Sequence, residues 1–269
     1  MIRVDKLIMS LPLFLRKKYE FVKNLSDDVA KCCCIADNKF VVIRKIGHAL
    51  FDKKWYQEEK ILRILHEEKN KFFPSLIDVH RSGRKMYIIC DYIDGVDLQQ
   101  YMDGHPTLSM VKRVCEQLVV AVSIIHSKNI IHRDIKLENV IVKDDQISLI
   151  DWEYAITAEE KKYYEDTPGT ILYASPEMFG VKSCIGTFND VWAIGVIIYC
   201  LVSYKFPFYS LGESYSDYEK IVSQIVMYDI CYDGLNAEVV DLLKHIFVPY
   251  ENRYTCQDIL NHSWFRPSI

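Results

Sequence analysis

Asp134, Lys136 and Asn139 fall within one octapeptide, His132-Arg133-Asp134-Ile135-Lys136-Leu137-Glu138-Asn139, and Asp151 follows twelve residues after Asn139. These residue types suit the transfer of a phosphoryl group to a hydroxyl. That reaction needs a carboxylate to orient the hydroxyl and accept its proton, a cation beside the moving phosphate, and oxygen ligands for magnesium. Asp134 fits the first role, Lys136 the second, and Asn139 with Asp151 the third. The plain alternative is a charged surface loop followed by an ordinary hairpin. A single His-Arg-Asp tripeptide would satisfy that alternative, whereas the full octapeptide with Asp151 at this distance does not.

Two short apolar runs, Val140–Val142 and Ile147–Ile150, flank the polar turn Lys143–Gln146. They predict a hairpin, and its two ends would place Asn139 beside Asp151. Upstream, Val111, Val114, Cys115, Leu118, Val119, Val122 and Ile125 recur at helical spacing. Phe40–Ile43 and Met86–Cys90 read as strands, the second entered by the turn Arg81–Arg84, and Trp55–Leu65 between them reads as a helix. Beyond Asp151 the clearest helical patterns are Val191–Val202 and Ala237–Phe247. A small strand-rich lobe, a break at Asp94-Gly95 and a larger helical lobe follow from this texture.

The length of 269 residues suits one large domain or two lobes sharing a cleft. A net charge of −4 gives no global attraction to nucleic acid or an anionic membrane, so any phosphate binding must be local. The nine cysteines are odd in number, Cys32-Cys33-Cys34 are adjacent and no C-x-x-C pair occurs. Reduced thiols, in the cytoplasm or nucleus of a cell, are therefore expected in place of disulfides or zinc. The apolar run Leu7–Leu15 is interrupted by Pro12 and reads as an arm packed on the first strand. Ala193–Val202, the longest apolar stretch, is about half of a membrane span.

The octapeptide resembles the catalytic loop of eukaryotic protein kinases, H-R-D-x-K-x-x-N, and Lys136 gives it the serine/threonine form. Gly169-Thr170 and Ala174-Ser175-Pro176-Glu177 are similar to the end of an activation segment, with Ser175 in place of the alanine of A-P-E. Asp190–Gly195 resembles the D-x-W-S-x-G helix, and Arg253 matches the arginine that pairs with the A-P-E glutamate, here Glu177. Ser263-Trp264-Phe265 resembles the closing box of the calmodulin-dependent and AMP-activated kinase group. The resemblance implies an α+β bilobal kinase fold over residues 19–266: a small antiparallel β lobe at 19–90, a hinge at 91–97 and a mainly helical lobe at 98–266. Residues 1–18 form the N-terminal arm. It also implies ATP and Mg²⁺ as cofactors, a protein substrate with a Ser or Thr acceptor, and room for a protein regulator. By the same resemblance Cys90 is the gatekeeper, Asp91–Ile93 the adenine-binding edge, Asp97 an acid on the ribose and Ile141 the floor beneath the base. For Asp97 a second role, the N-terminal carboxylate of a helix, stays open.

The small lobe departs from the family pattern. Leu25–Ala36 aligns without gaps on G-x-G-x-x-G-x-V, with Ser26, Asp28 and Lys31 at the glycine positions and Cys33 at the valine. Glycines there let backbone N–H groups approach phosphates, and Asp28 brings a charge of the wrong sign. Val41-Val42-Ile43-Arg44 aligns on V-A-I-K, so Val42 replaces the alanine over the adenine and Arg44 the phosphate-holding lysine. Glu58 matches the lysine's helix partner, although an arginine fork is not a point charge. Asp151-Trp152-Glu153 stands for D-F-G.

In the activation segment, the position usually phosphorylated falls on Asp166, after Glu165. Asp166 already carries a charge that Arg133 could meet, with Lys54 contributing; the alternative makes Thr167 the phosphosite. The expectation is a slow, atypical serine/threonine kinase. The alternatives are a pseudokinase acting as a binding or allosteric module with weak or no nucleotide binding, and a small-molecule phosphotransferase.

Overall fold

The computed structural model describes residues 11–47, 53–159, 170–179, 185–208 and 218–266, and for 53–55 the backbone only. The chain divides into two compact units, Met1–Asp94 and Gly95–Ile269.

The smaller unit is built on five antiparallel strands: β1 (Tyr19–Asn24), β2 (Val29–Cys34), β3 (Phe40–Ile46), β4 (Leu76–Ser82) and β5 (Lys85–Asp91), in the order β1-β2-β3-β5-β4. Alternation along each strand gives the sheet two unlike faces. Ala30, Cys32, Val41, Ile43, Tyr87 and Ile89 point to one face and pack there with Leu11, Leu15 and Tyr19. Helix α1 (Leu13–Lys18) carries Leu15 into this core, so the apolar N-terminal run covers a sheet face. Helix α2 (Lys53–Glu68) is longer than the apolar periodicity predicts and buries Ile61, Leu62 and Leu65. Its Glu59 bonds to Arg63 one turn on and to Arg81 of β4, which ties the helix to the sheet.

In the larger unit, β6 (Val96–Asp97), β8 (Val140–Lys143) and β9 (Gln146–Leu149) form a small sheet in the order β6-β8-β9. β7 (Ile130–Ile131) pairs with β10 (Ile156–Thr157). Gly95 must lack a side chain, since a Cβ there would lie 2.4 Å from the Val142 carbonyl oxygen. Helix α3 (Leu98–Asp103) follows, and then α4 (Leu108–Ser127), which buries the seven predicted apolar positions. Helix α5 (Thr187–Ser203) is apolar nearly all round and buried from Asn189 to Leu201, as a central helix must be. Helices α6 (Tyr218–Met227), α7 (Ala237–Ile246) and α8 (Cys256–Asn261) complete the unit. Trp192 of α5 is packed against Phe208 and Phe247, with ring centroids 5.5 and 4.9 Å away. The eight described cysteines are free thiols, and no described helix is long and apolar enough to cross a membrane.

Leu15 is fully buried while Leu13 is 68% exposed. Leu15→Ala should therefore cost about 2–5 kcal/mol in urea denaturation, and Leu13→Ala almost nothing. Equal effects would show that α1 is not part of the smaller unit's core.

Candidate active site

The hairpin β8–β9 turns through Asp144 and Asp145, both at positive φ, +48° and +61°. This type I′ geometry matches the twist of the strands, and short polar residues tolerate it. Helix α4 holds the turn from outside, through Arg113 on the Asp145 carboxylate (2.7 Å) and Gln117 donating to the Asp145 carbonyl (2.7 Å). At the open end the Ile150 N–H donates to the Asn139 carbonyl at 2.9 Å, which brings Asn139 next to the segment carrying Asp151.

Asp134 is the centre of the site. Its Oδ2 accepts from Lys136 Nζ at 2.7 Å and from Asn139 Nδ2 at 2.9 Å, and Asn139 Nδ2 also donates to the Asp134 carbonyl at 2.8 Å. Burial favours the neutral form of Lys136, but the hydrogen bond and charge of Asp134 outweigh it and hold the ammonium's pKa above its ordinary value. These two acceptors on Asp134 fix the Asn139 amide with its nitrogen toward Asp134. Arg133 and Asp151 both sit at positive φ, +68° and +63°. Such strain persists only where surrounding structure enforces it.

Asp190 of α5 provides that enforcement. Its fully buried carboxylate accepts from the His132 N–H, the Arg133 N–H and His126 Nε2, each at 2.9 Å. Burial pushes its pKa up, yet these donors more than compensate, and the carboxyl lies below the usual range. His132 Nδ1 accepts from the Asp134 N–H at 3.3 Å, so its Nε2 carries the proton and donates to the Ile150 carbonyl at 3.2 Å. The ring also meets Trp152 edge-on, with centroids 4.7 Å apart. One neutral imidazole thus links the loop of Asp134 to the strand end of Asp151.

Glu177 and Arg253 form a bidentate pair at 2.8 and 3.1 Å, with the guanidinium fully buried. Arg253 also donates to the carbonyls of Phe188, Ile246 and Val248 and lies 4.8 Å from the Trp192 ring centroid. Ser175 is buried and its Oγ accepts from Asn189 Nδ2 at 2.7 Å, so the serine that replaces alanine gains a partner on α5. Thr170 is exposed and lines a small depression with Arg133, Asp134 and Tyr173.

In the smaller unit, Arg44 Nε and Glu58 Oε2 stand 3.8 Å apart with both side chains mostly buried. Cys90 lies near both, and burial raises its thiol to about 12. The predicted glycine-loop register needs correction. The β1–β2 connection is a tight turn in which the Leu25 and Ser26 N–H groups both donate to the Val29 carbonyl, at 2.8 and 3.1 Å, and β2 begins at once. Lys31 consequently pairs with Val42, while Cys33 pairs with Phe40 one step further along. Lys31, not Cys33, is the β2 side chain beside Val42. Leu25 is 43% exposed at the turn. Asp91 ends β5, paired with Val41, and Ile93 follows outside the sheet.

In the larger unit, Asp97 pairs with Ile141 across β6–β8. Asp97 caps α3, its Oδ1 accepting from the Gln100 N–H (2.8 Å) and its Oδ2 from Gln100 Nε2 (3.1 Å). The helix-terminal role left open for Asp97 is the one seen. Asp166, Thr167, Glu165 and the Lys54 side chain lie outside the described residues.

Residues 26–265 match the protein kinase domain. The chain belongs to the eukaryotic-type serine/threonine protein kinase family. It is 26% identical over 263 residues to calcium/calmodulin-dependent protein kinase type 1 of Caenorhabditis elegans, covering 93% of this chain and 75% of that one. It is 26% identical over 270 residues to serine/threonine-protein kinase SRK2C of Arabidopsis thaliana, covering 94% and 77%. To protein kinase kin1 of Schizosaccharomyces pombe it is 28% identical over 191 residues, 70% of this chain and 21% of the other. It spans 16–23% of the length of four such kinases, which are much longer chains.

Sequence reasoning about this kinase missed the environment of Lys31 and the triple acceptor role of Asp190. Period-two alternation along Val29–Cys34 would have put Lys31 on the face opposite the core. Its partners are distant in sequence and carry no such signal.

Two outcomes follow from this geometry. Arg253→Ala leaves a buried carboxylate without its fork and should destabilise the kinase by about 3–5 kcal/mol in chemical denaturation. His132 is held neutral, mainly by burial, with its pKa below the ordinary 6.5. The unfolded chain therefore binds more protons below about pH 6.5, and stability should fall as pH drops through that window. His132→Phe should be less stable at pH 7 but show a flatter dependence between pH 7 and 5.5. An unchanged slope would remove His132 as the titrating group.

Proposed function

We propose that this chain transfers the γ-phosphoryl group of ATP to a Ser or Thr hydroxyl of a protein substrate, and does so slowly. The observation that supports this most is the convergence of Lys136 and Asn139 on one oxygen of Asp134, at 2.7 and 2.9 Å. That arrangement leaves Oδ1 of Asp134 to orient an incoming hydroxyl and take its proton. Lys136, kept charged, stands where negative charge develops in the transition state. The Asn139 Oδ1 and the Asp151 carboxylate are hard oxygen donors of the kind magnesium takes, and they would hold it. When bound, the metal neutralises phosphate charge; Asp134 and Lys136 act on the acceptor and the moving group.

On the nucleotide side, Arg44 with Glu58 takes the place of a lysine–glutamate pair, with Val42 as roof, Asp91–Ile93 as edge and Ile141 as floor. Asp97 would reach a ribose only by giving up part of its cap. We assign residues 19–266 to the kinase domain and 1–18 to the arm. Ser175-Pro176-Glu177 and Arg253 build the platform for a protein substrate, which disfavours a small-molecule acceptor. Control of the activation segment is assigned to the charge of Asp166 acting on Arg133, with Thr167 as the alternative phosphosite.

A second reading, a kinase-fold binding module, is favoured by the small unit, where Ser26, Asp28, Lys31 and Arg44 all depart from the pattern. Transfer of labelled phosphate to a generic basic protein separates the two. The wild type should label it and Asp134→Asn, with its fold intact, should lose at least about 10²-fold in rate. Equal labelling by both proteins, or none by the wild type, would sink the kinase reading.

A further inference from the structure

The face of the small sheet opposite its apolar core carries Lys31 and Cys33 of β2, Phe40, Val42 and Arg44 of β3, and Cys90 of β5. Lys31 is only 9% exposed, an uncommon state for a lysine. Its Nζ lies 3.7 Å from the Tyr92 ring centroid and 4.1 Å from that of Phe40. The two rings meet edge to face at 6.3 Å, and the Tyr92 N–H donates to the Phe40 carbonyl at 3.2 Å, so their spacing is fixed by backbone. Asp94 closes the cage, with Oδ1 3.7 Å from the ammonium and its side chain 69% exposed. Two aromatic faces and a carboxylate form a built cation site, and the chain's own lysine fills it.

The position matters. Lys31 starts beside Val42, the residue over the base in the kinase reading, and its stem runs toward Tyr92 and Asp94 at the adenine-binding edge. It runs away from Arg44, which pairs with Glu58 two residues along β3. In the caged position the Lys31 ammonium is thus held at Tyr92 and Asp94.

We propose that Lys31 is an internal occupant of the base-binding face of this sheet, so that an adenine nucleotide binds only by displacing the Lys31 ammonium from the Phe40–Tyr92–Asp94 cage. Affinity for the base is then reduced by the population in which the cage is empty. The proposal rests on the kinase reading for where the base lies, and it assigns the weakness of binding to an occupied site in place of a lost glycine.

Calorimetric titration of the full chain with adenosine and, separately, with MgATP tests it. Lys31→Ala should bind both about tenfold tighter or more, because the change acts at the base and not at the phosphates. Lys31→Arg should stay close to wild type, since a guanidinium also stacks in such a cage. Asp94→Asn, at an exposed position that leaves the sheet untouched, should bind a few-fold tighter and carries the test if Lys31→Ala melts early. Unchanged or weaker adenosine binding by both Lys31→Ala and Asp94→Asn overturns the proposal. So does a gain confined to MgATP, and so does failure of every variant to bind nucleotide. The kinase reading is judged separately: Asp134-dependent transfer by the wild type keeps it even if the cage proposal fails.

Discussion

The Asp190 carboxylate is inside an apolar helix, almost wholly removed from water, and accepts three hydrogen bonds there. An isolated carboxylate in such a place would be neutral or would not be tolerated. Two backbone N–H groups and an imidazole make it stable, and in return it fixes the chain at His132 and Arg133. The positive φ of Arg133 is held by that grip. From there the loop runs to Asp134, whose own N–H is taken up by His132, and to Asn139, whose amide returns to Asp134. Each link is a short-range bond, but the order of the whole depends on one buried charge.

The smaller unit shows a different logic. Its five-stranded sheet buries one face against α1, while the other carries Lys31, Val42 and Arg44 alongside the buried Ile46 and Ile88. A one-residue shift of β2 would exchange Ala30 and Cys32 for Lys31, so the core itself forces Lys31 onto the opposite face. The tight turn at Leu25–Asp28 follows from the same register, since β2 must begin at Val29 to keep Ala30 buried. The tight β1–β2 turn and the placement of a lysine beside Val42 are two consequences of one pairing.

Much of the larger unit was legible in the sequence because its signals are local. The octapeptide, the hairpin after it and the apolar periodicity of α4 and α5 each sit within a short window. The elements came out longer than their apolar stretches, as in α2 and α5, because polar first and last turns add no periodic signal. The small unit was less legible. An alignment without gaps kept Cys33 at the valine position, and only strand pairing, a contact between distant residues, shows that Lys31 belongs there. The cage of Phe40, Tyr92 and Asp94 and the reach of Asp190 to His126 are likewise non-local, and residue spacing does not encode them. Asp97 was ambiguous for a physical reason: a carboxylate opening a helix serves the cap and a ligand with the same lone pairs.

The two units bear on different kinetic quantities. In the proposed reading, Asp134 and Lys136 act on the acceptor hydroxyl and the moving phosphate, mainly in the transition state, so changes there would lower kcat. In the same reading, the departures at Ser26, Asp28, Lys31 and Arg44 would alter how tightly nucleotide is held in ground and transition states alike. Loss of such uniform binding raises KM and leaves kcat at saturation nearly intact. A chain with an intact set around Asp134 and an altered sheet face should thus be slow chiefly because it is unsaturated, with chemistry that recovers as nucleotide concentration rises. In the proposed reading Arg44 would bridge the two classes, because its charge survives while its shape changes. Its fork is held by Glu58 at 3.8 Å, so whatever phosphate contact it makes is shared with that carboxylate.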